Sequence, residues 1–422
     1  MNDSRSQWAW ALYDWANSAF ATTVMAGFFP LFFKQYWSAG VDPILSTFRL
    51  GTTNALASLA VALSAPLLGA LADGLGRRKA YLIRFAALGI ASTLALWGIE
   101  QGQWQLAALC YGLAVLGFSG ANLFYDALLI SVAREDQFDA LSARGYALGY
   151  LGGGLLFAFN VAMTRWPEAF GLADTAAAVR LSFLSVGLWW ALFSLPLLFW
   201  VADTPPVPWP VRPNPLRMAL RQVRERLANL RAHRDAAWFL LAYWLYIDGV
   251  DTIVRMAVDY GLSIGLAARH LIIALLITQF IGFPAALVFG RIGRRLGPRR
   301  GIFIALGVYV AITLWAARMN SALEFYLLAT GVGLVQGGIQ ALSRSLFARL
   351  VPAGAQAEFF GFYNLLGKFA AVFGPFLVGW VSWLSGEPRL GLLSVLVLFL
   401  AGALLLRRVP EARIAATGDR RS

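Results

Sequence analysis

A short basic turn, GALADGLGRRK from Gly69 to Lys79, separates two apolar stretches and guides the interpretation of the whole chain. A related turn, FGRIGRR, runs from Phe289 to Arg295 and also lies between apolar stretches. Gly76 in the first turn and Gly293 in the second are 217 residues apart. Two further glycine pairs are 216 residues apart: Gly117 with Gly333, and Gly145 with Gly361. A spacing shared by three landmarks predicts a duplicated unit.

The composition predicts that this unit lies in a bilayer. The 422-residue chain is 59% hydrophobic and only 14% charged, whereas soluble domains are about half apolar and about a quarter charged. Crossing the hydrocarbon takes about 20 apolar residues. Segments that meet this requirement are residues 8–36, 47–72, 79–99, 103–131, 140–163, 179–201, 236–262, 269–290, 299–318, 322–350, 358–384 and 388–406. We predict an all-α integral membrane protein with twelve transmembrane helices in two six-helix pseudo-repeats.

The basic residues predict the orientation of the chain. With both termini cytoplasmic, 24 of the 35 basic residues lie on the cytoplasmic side and 7 on the other, as the positive-inside rule requires. The longest polar break begins with the proline-rich TPPVPWPVRPNP and continues as a basic amphipathic helix, more typical of a membrane surface than of a regulatory site. The predicted parts are an N-terminal half (1–202), a cytoplasmic linker (203–235), a C-terminal half (236–406) and a cytoplasmic tail (407–422).

Several classes of function are disfavoured. A single cysteine, Cys110, excludes an internal disulfide framework, and two distant histidines, His233 and His270, argue against a metal site. The glycine-rich YLGGGL from Tyr150 to Leu155 lacks the Lys-Ser/Thr of a phosphate loop. The formal charge of +13 arises largely from loops on one side of the membrane rather than from a nucleic-acid surface. We therefore predict no metal, no cofactor, no nucleotide and no nucleic acid.

Over its whole length the chain resembles the major facilitator superfamily, whose signature loop between spans 2 and 3 is similar to Gly69–Lys79. Three other stretches resemble the vacuole-effluxer family: YDWANSAFATTV at 13–24, LYIDGVDTIVRMA at 245–257, and GGIQALSRSLFARLVP followed by AEFFGFYNLLGKFAAVFGP within 337–375. That family includes the autophagy-related amino-acid exporter of the fungal vacuole and many bacterial members. The resemblance implies the major facilitator fold and export of amino acids.

Charged and polar side chains on the predicted spans mark a candidate solute path, because a charge in the membrane interior is costly unless it is paired or hydrated. In the fold that the chain resembles, spans 1, 4, 7 and 10 line the central cavity. The candidate path residues are Asp14, Asn17, Asn122, Asp126, Asp248, Asp251, Arg255, Gln336, Gln340, Arg344, Asn364 and Lys368. Hydrogen bonding between packed helices is the alternative role for the polar members. Arg344 either binds a substrate carboxylate or neutralises Asp126 or Asp14.

The seventh span, WLYIDGVDTIVRMAVDYGL from Trp244 to Leu262, carries a line of charge. At 100° per residue, Asp248, Asp251, Arg255 and Asp259 share an arc of about 80°. The i,i+4 spacing assigns Arg255 to Asp251 rather than to Asp248. Burial disfavours the charged form of a carboxylate. We therefore predict that Asp248, with Asp14 and Asp126 as further candidates, couples transport to protons.

The signature turn carries a predicted gate. In the superfamily, the acid at the position of Asp73 and the basic residues that follow lock the two halves in the outward-facing state. The predicted gating residues are Gly69, Asp73, Gly76, Arg77, Arg78 and Lys79. The glycines allow close helix approach and a tight turn. Gly74 stands where the family usually has a basic residue, and Gly290 stands where the acid would be in the second turn.

These patterns favour a secondary active transporter, not an enzyme, that exports a small polar solute such as an amino acid. Charges of both signs fit a zwitterion better than a neutral sugar. The alternatives are another cargo, such as a drug, sugar, peptide or lipid, and a non-transporting receptor or scaffold. The chain has 32 Arg and 3 Lys, which suggests a GC-rich bacterial genome. We predict a multi-pass protein of a bacterial inner membrane, monomeric, with the bilayer and a small-molecule substrate as its partners.

Overall fold

A computed structural model describes residues 4–41, 43–203, 233–263, 268–352 and 355–410. The regular secondary structure in these ranges is helical, which confirms the predicted all-α class. The first helix is an α-helix over Ser4–Ala19 and winds as a π-helix over Phe20–Phe28 and Phe33–Trp37. The helices are α1 (Ser4–Trp37), α2 (Pro43–Leu75), α3 (Arg78–Ala95), α4 (Trp104–Val132), α5 (Phe138–Arg165), α6 (Thr175–Trp200), α7 (Arg234–Ser263), α8 (Ala268–Leu296), α9 (Pro298–Ala316), α10 (Ala322–Leu350), α11 (Gln356–Ser385) and α12 (Pro388–Leu406).

Among the described residues, ten helices are long and apolar enough to cross a membrane. Each predicted span overlaps one helix, in the predicted order. The predicted linker helix and the tail after residue 410 lie outside the described residues.

The end of the eighth span differs from the prediction. α8 continues to Leu296, six residues beyond the predicted end at residue 290. Arg294 and Arg295 lie in its last turn, where positive charge favours the negative end of the helix dipole. The turn glycine with a left-handed backbone is therefore Gly297, with φ of 90°, and not Gly293. Gly76 has the same role in the first turn, with φ of 62°.

We refer to α1–α6 as the N-terminal half and to α7–α12 as the C-terminal half. Two seams join the halves: α2 packs against α11, and α5 packs against α8 and α10. At one end of the bundle, the α2–α3 turn meets the start of α11. At the same end, the α4–α5 connection meets the last turn of α10. We call this the closed end.

Glycines allow the helices of both seams to approach closely. A Cβ atom on Gly69 of α2 would lie 2.3 Å from the carbonyl oxygen of Ala357 on α11, and one on Gly361 would lie 2.8 Å from that of Ala65. In the other seam, a Cβ atom on Gly290 of α8 would lie 2.6 Å from the Cβ of Ala143. Small residues are what allow membrane helices to approach so closely.

We expect Gly69→Ala to weaken the closed end. The added methyl group would meet backbone atoms of α11, which have no rotamer through which to move aside, and overpacking of this kind costs about 1–3 kcal/mol. Thermal unfolding in detergent should shift down by several degrees. Gly51→Ala, in the same helix but with nothing within 4 Å of its Cβ position, is the matched control. Equal melting temperatures for the two variants would contradict the steric argument.

Candidate functional site

An ion cluster joins the two halves near the closed end. Arg344 of α10 donates from one terminal nitrogen to Asp126 of α4 at 3.0 Å and from the other to Asp14 of α1 at 3.4 Å. Its Nε donates to the Ser142 hydroxyl at 2.9 Å, and a terminal nitrogen donates to the Ser142 carbonyl at 3.0 Å. The side chain of Arg344 is 2% exposed, and each aspartate side chain is 12% exposed. The structure therefore contains both ion pairs that the sequence offered as alternatives.

Three aromatic rings surround the Arg344 guanidinium. Its central carbon lies 4.4 Å from the centroid of Tyr146, 4.8 Å from Trp10 and 5.2 Å from Tyr125. The Tyr125 hydroxyl donates to Asp14 at 2.8 Å. Rings at this distance attract a cation through their negative faces, more strongly when water is excluded. The cluster therefore combines ion pairing with cation–π contact.

Three predicted path residues with amide side chains, Asn17, Asn122 and Asn364, adjoin the ion cluster. Asn17 of α1 donates to Asn122 of α4 at 2.6 Å, about one helical turn from Asp14 and Asp126. Asn364 of α11 donates to Asp126 at 3.5 Å. Spans 1, 4, 10 and 11 thus contribute predicted path residues to one region.

Five further path candidates lie in the C-terminal half. Gln336 and Gln340 are half-buried on α10. The side chains of Arg255 and Lys368 lie outside the described part of the structure, so the pairing of Asp251 with Arg255 stays a prediction. Asp251 itself is half-buried on α7.

Asp248 is fully buried between α7 and α11. One carboxylate oxygen accepts the backbone N–H of Gly374 at 2.9 Å, immediately before Pro375. A Cβ atom on Gly374 would meet the Thr252 hydroxyl and this carboxylate oxygen. The described contact of Asp248 therefore lies within the C-terminal half, whereas those of Asp14 and Asp126 with Arg344 cross between the halves.

The signature turn also crosses between the halves. The carboxylate of Asp73 accepts the backbone N–H groups of Ala357 and Glu358, at the start of α11, at 3.1 and 3.0 Å. The Arg78 guanidinium bonds to Asp73 and to Gln356 of α11. A carboxylate at a helix N-terminus is stabilised by the unpaired N–H groups and the helix dipole.

The other gating candidates hold different positions. Arg77 is exposed. The Lys79 ammonium donates to the carbonyls of Leu198 and Val201 at 2.9 and 2.7 Å, which ties α3 to the end of α6 within the N-terminal half. Asp73 and Arg78 are therefore the charged members of the turn with described contacts to the C-terminal half.

A second contact at the closed end was missed by sequence reasoning. Asp139 at the start of α5 accepts from the Ser345 hydroxyl of α10 at 2.5 Å and from the Arg349 guanidinium at 3.0 Å. Its side chain is 3% exposed. A charge at the predicted end of a span is expected to be in water, so this burial could not be predicted from the position of Asp139 along the chain.

All of these charged contacts between the halves lie toward the closed end. Separating the halves there would break the bonds of Arg344 to the N-terminal half, the bonds of Asp73 to α11 and the bonds of Asp139 to α10. Removing one partner of a buried ion pair costs about 3–5 kcal/mol. The arrangement can hold one end of the bundle shut and release it when a carboxylate gains another partner.

Known proteins with similar sequences are membrane transporters. The family described as "Vacuole effluxer Atg22 like" matches residues 46–417. An uncharacterized MFS-type transporter of Bacillus subtilis, YxiO, is 37% identical over 405 residues, which cover 96% of this chain and 94% of that one. Autophagy-related protein 22 of Yarrowia lipolytica is 26% identical over 289 residues, 62% of this chain. The match spans about half the length of the fungal relative, 48%.

The fold is also similar to solved structures. The major facilitator transporter FucP in its outward conformation superimposes with a TM-score of 0.71, covering 97% of this chain and 98% of that one at 13% identity. At that identity the likeness concerns the fold alone. The bundle of α1–α12 is thus a major facilitator fold.

Proposed function

We propose, from the premise that the chain belongs to the vacuole effluxer Atg22-like family of major facilitator transporters, that it is a secondary active transporter working by alternating access. The observation that carries the proposal is the set of buried ionic contacts toward one end of the two halves, with Arg344 from one half and Asp14 and Asp126 from the other. Such contacts suit a pair of bodies that rock apart, because each half carries charges that need new partners when they separate.

We further propose twelve spans with both termini in the cytoplasm of a bacterium, and a monomeric protein in the inner membrane. The N-terminal half then comprises residues 1–202, the C-terminal half 236–406, with the linker 203–235 and the tail 407–422 on the cytoplasmic side. The excess of basic residues on that side supports the orientation. In this orientation the closed end is cytoplasmic, and the structure corresponds to a state closed to the cytoplasm.

The proposed activity is proton-coupled efflux of a small polar solute such as an amino acid. Opening the closed end would remove Arg344 from Asp14 and Asp126, leaving two carboxylates in a weakly polar environment. A proton on one of them would replace the lost positive charge. The likeness to vacuole effluxers supports export as the direction.

The test is solute flux in proteoliposomes that contain the purified full-length protein. Radiolabelled amino acids should move in response to an imposed pH gradient, and the movement should stop with a protonophore. Sugars and hydrophobic drugs serve as alternative cargoes at equal concentration. Binding of solutes without any flux would overturn the transporter proposal and favour a receptor.

Asp248 is the third candidate for proton coupling, and the same assay tests it. Asp248→Asn keeps an oxygen that can accept the N–H of Gly374 but removes the titrating group. We expect it to fold normally and to lose pH-driven flux. Unchanged pH-driven flux would remove Asp248 from the coupling mechanism and leave it as the side chain that holds α7 to the Gly374–Pro375 segment of α11.

A further inference from the structure

We propose that the N-terminal half contains a binding site for an organic cation, which Arg344 occupies while the end is closed. The site, called the aromatic cage, consists of Trp10, Asp14, Tyr125, Asp126 and Tyr146. The inference rests on the proposed alternating-access function and names the class of cargo. That cargo carries an ammonium or guanidinium group, such as the amino group or basic side chain of an amino acid.

The geometry of the aromatic cage is that of a cation receptor. Its five members come from α1, α4 and α5, so all belong to the N-terminal half. They place three rings 4.4–5.2 Å from the guanidinium carbon and two carboxylates 3.0 and 3.4 Å from its terminal nitrogens. Aromatic rings combined with carboxylates recognise alkylammonium and guanidinium ions in preference to neutral solutes. Arg344, the cation of the cluster, comes from the C-terminal half.

Three members of the aromatic cage are held together without Arg344. The Trp10 indole N–H donates to the backbone carbonyl of Tyr125 at 2.9 Å, and the two rings stack with centroids 4.4 Å apart. The Tyr125 hydroxyl donates to Asp14 at 2.8 Å. These contacts all lie within the N-terminal half, so Trp10, Asp14 and Tyr125 keep their arrangement when the C-terminal half withdraws. A site organised in advance loses little conformational entropy on binding.

The charge of the aromatic cage selects the sign of its ligand. Two ionised carboxylates and one guanidinium give a net charge of −1, and a monovalent organic cation in place of Arg344 leaves that charge unchanged. An anion would instead face both carboxylates, in a site where water screens charge poorly. Protons and cargo compete for the same carboxylates, so the binding of one weakens the binding of the other.

This exchange sets the order of steps in the transport cycle. With the closed end open, the aromatic cage faces the cytoplasm and takes the cationic group of the cargo. Closing returns Arg344 to the cage, which expels that group toward the opposite side. Arg344 then acts as a tethered competitor of the cargo, and the proton gradient of the proposed function sets the net direction of transport.

Chemical rescue tests the aromatic cage without any flux measurement. Arg344→Ala truncates the tethered cation and leaves the cage empty. Ethylguanidinium chloride at millimolar concentration should raise the melting temperature of this variant by several degrees and in a saturable manner, because a ligand that binds only the folded state stabilises it. Sodium chloride at equal ionic strength should not. The double variant R344A/Y146L, which removes one ring, should lose the response.

A second measurement keeps Arg344 in place. Spin labels at D136C and R295C, two exposed positions on opposite halves at the closed end, in a C110S background, report the separation of the halves. Ethylguanidinium should lengthen this distance in a concentration-dependent manner, since it competes with Arg344, and Tyr146→Leu should weaken the effect.

An unchanged distance, or the same change with sodium chloride, would overturn the proposal, as would equal stabilisation of Arg344→Ala by both salts. Failure of the proposed function looks different, because ethylguanidinium would then bind and move the halves while no solute crossed the proteoliposome membrane.

Discussion

Replacing Asp126 by asparagine is expected to abolish pH-driven transport, with at least about a tenfold fall in initial rate. Asparagine has the shape of aspartate and keeps the oxygen that accepts from Arg344, so the closed end should still form. It cannot exchange a proton, and intramembrane carboxylates of this kind act as proton carriers in transporters. Solute exchange across proteoliposomes without a pH gradient should therefore persist while gradient-driven flux is lost.

Asp136→Asn is the matched control for this variant. Asp136 is an exposed aspartate that pairs with Arg134 in the same α4–α5 connection, and exposed pairs contribute about 0–1 kcal/mol. Full pH-driven flux in Asp126→Asn would contradict the assignment. Full pH-driven flux in both Asp126→Asn and Asp14→Asn would show that the ion cluster takes no part in proton coupling.

The pairing of Arg344 with an aspartate is the part of the site that the sequence predicts. Asp14, Asp126 and Arg344 stand on predicted spans at similar depth, and buried charges must find partners of opposite sign. With few such charges in the chain, pairing of Arg344 with one of these aspartates followed almost from their positions. Spacing along the chain could not show that the guanidinium bonds to both.

The aromatic rings and the Asp139 contact lay beyond sequence reasoning for different reasons. Aromatic residues make up 14% of the chain, so nothing marked Trp10, Tyr125 and Tyr146 as a group before the helices were packed. Asp139 lies at a helix end, where burial depends on which neighbour covers it. Both features arise from tertiary packing, which the residue pattern of a single helix does not determine.

Asp248 shows what helical periodicity leaves undetermined. Its place on a charged helix face predicts a solute path, which stays a prediction, and one of its bonds runs to the backbone of α11. Helical periodicity assigns residues to a face, but it does not say whether that face meets a neighbouring helix or a cavity.

Replacing Asp73 by asparagine should have the second large effect, a shift of the closed end toward the open state. The two oxygens of Asp73 accept two backbone N–H groups of α11 while the carboxylate pairs with Arg78. Asparagine retains one acceptor and no charge, so at least one N–H loses its partner. Hydrogen bonds to charged groups contribute about 1.5–3 kcal/mol, which corresponds to roughly a ten- to hundredfold change in the closed-to-open ratio.

The distance between spin labels at D136C and R295C measures this ratio directly, and it should show a second, longer population in Asp73→Asn. Asp174→Asn is the control, because Asp174 also caps a helix, accepting the N–H of Ala177 at the start of α6, but makes that contact within one half and at the opposite end. Since asparagine caps helix N-termini well, the control should keep the distance distribution of the unmodified protein. An unshifted distribution in Asp73→Asn would mean that the contacts of Asp139 and Arg344 hold the closed end without the signature turn, whose charges would then serve topology alone.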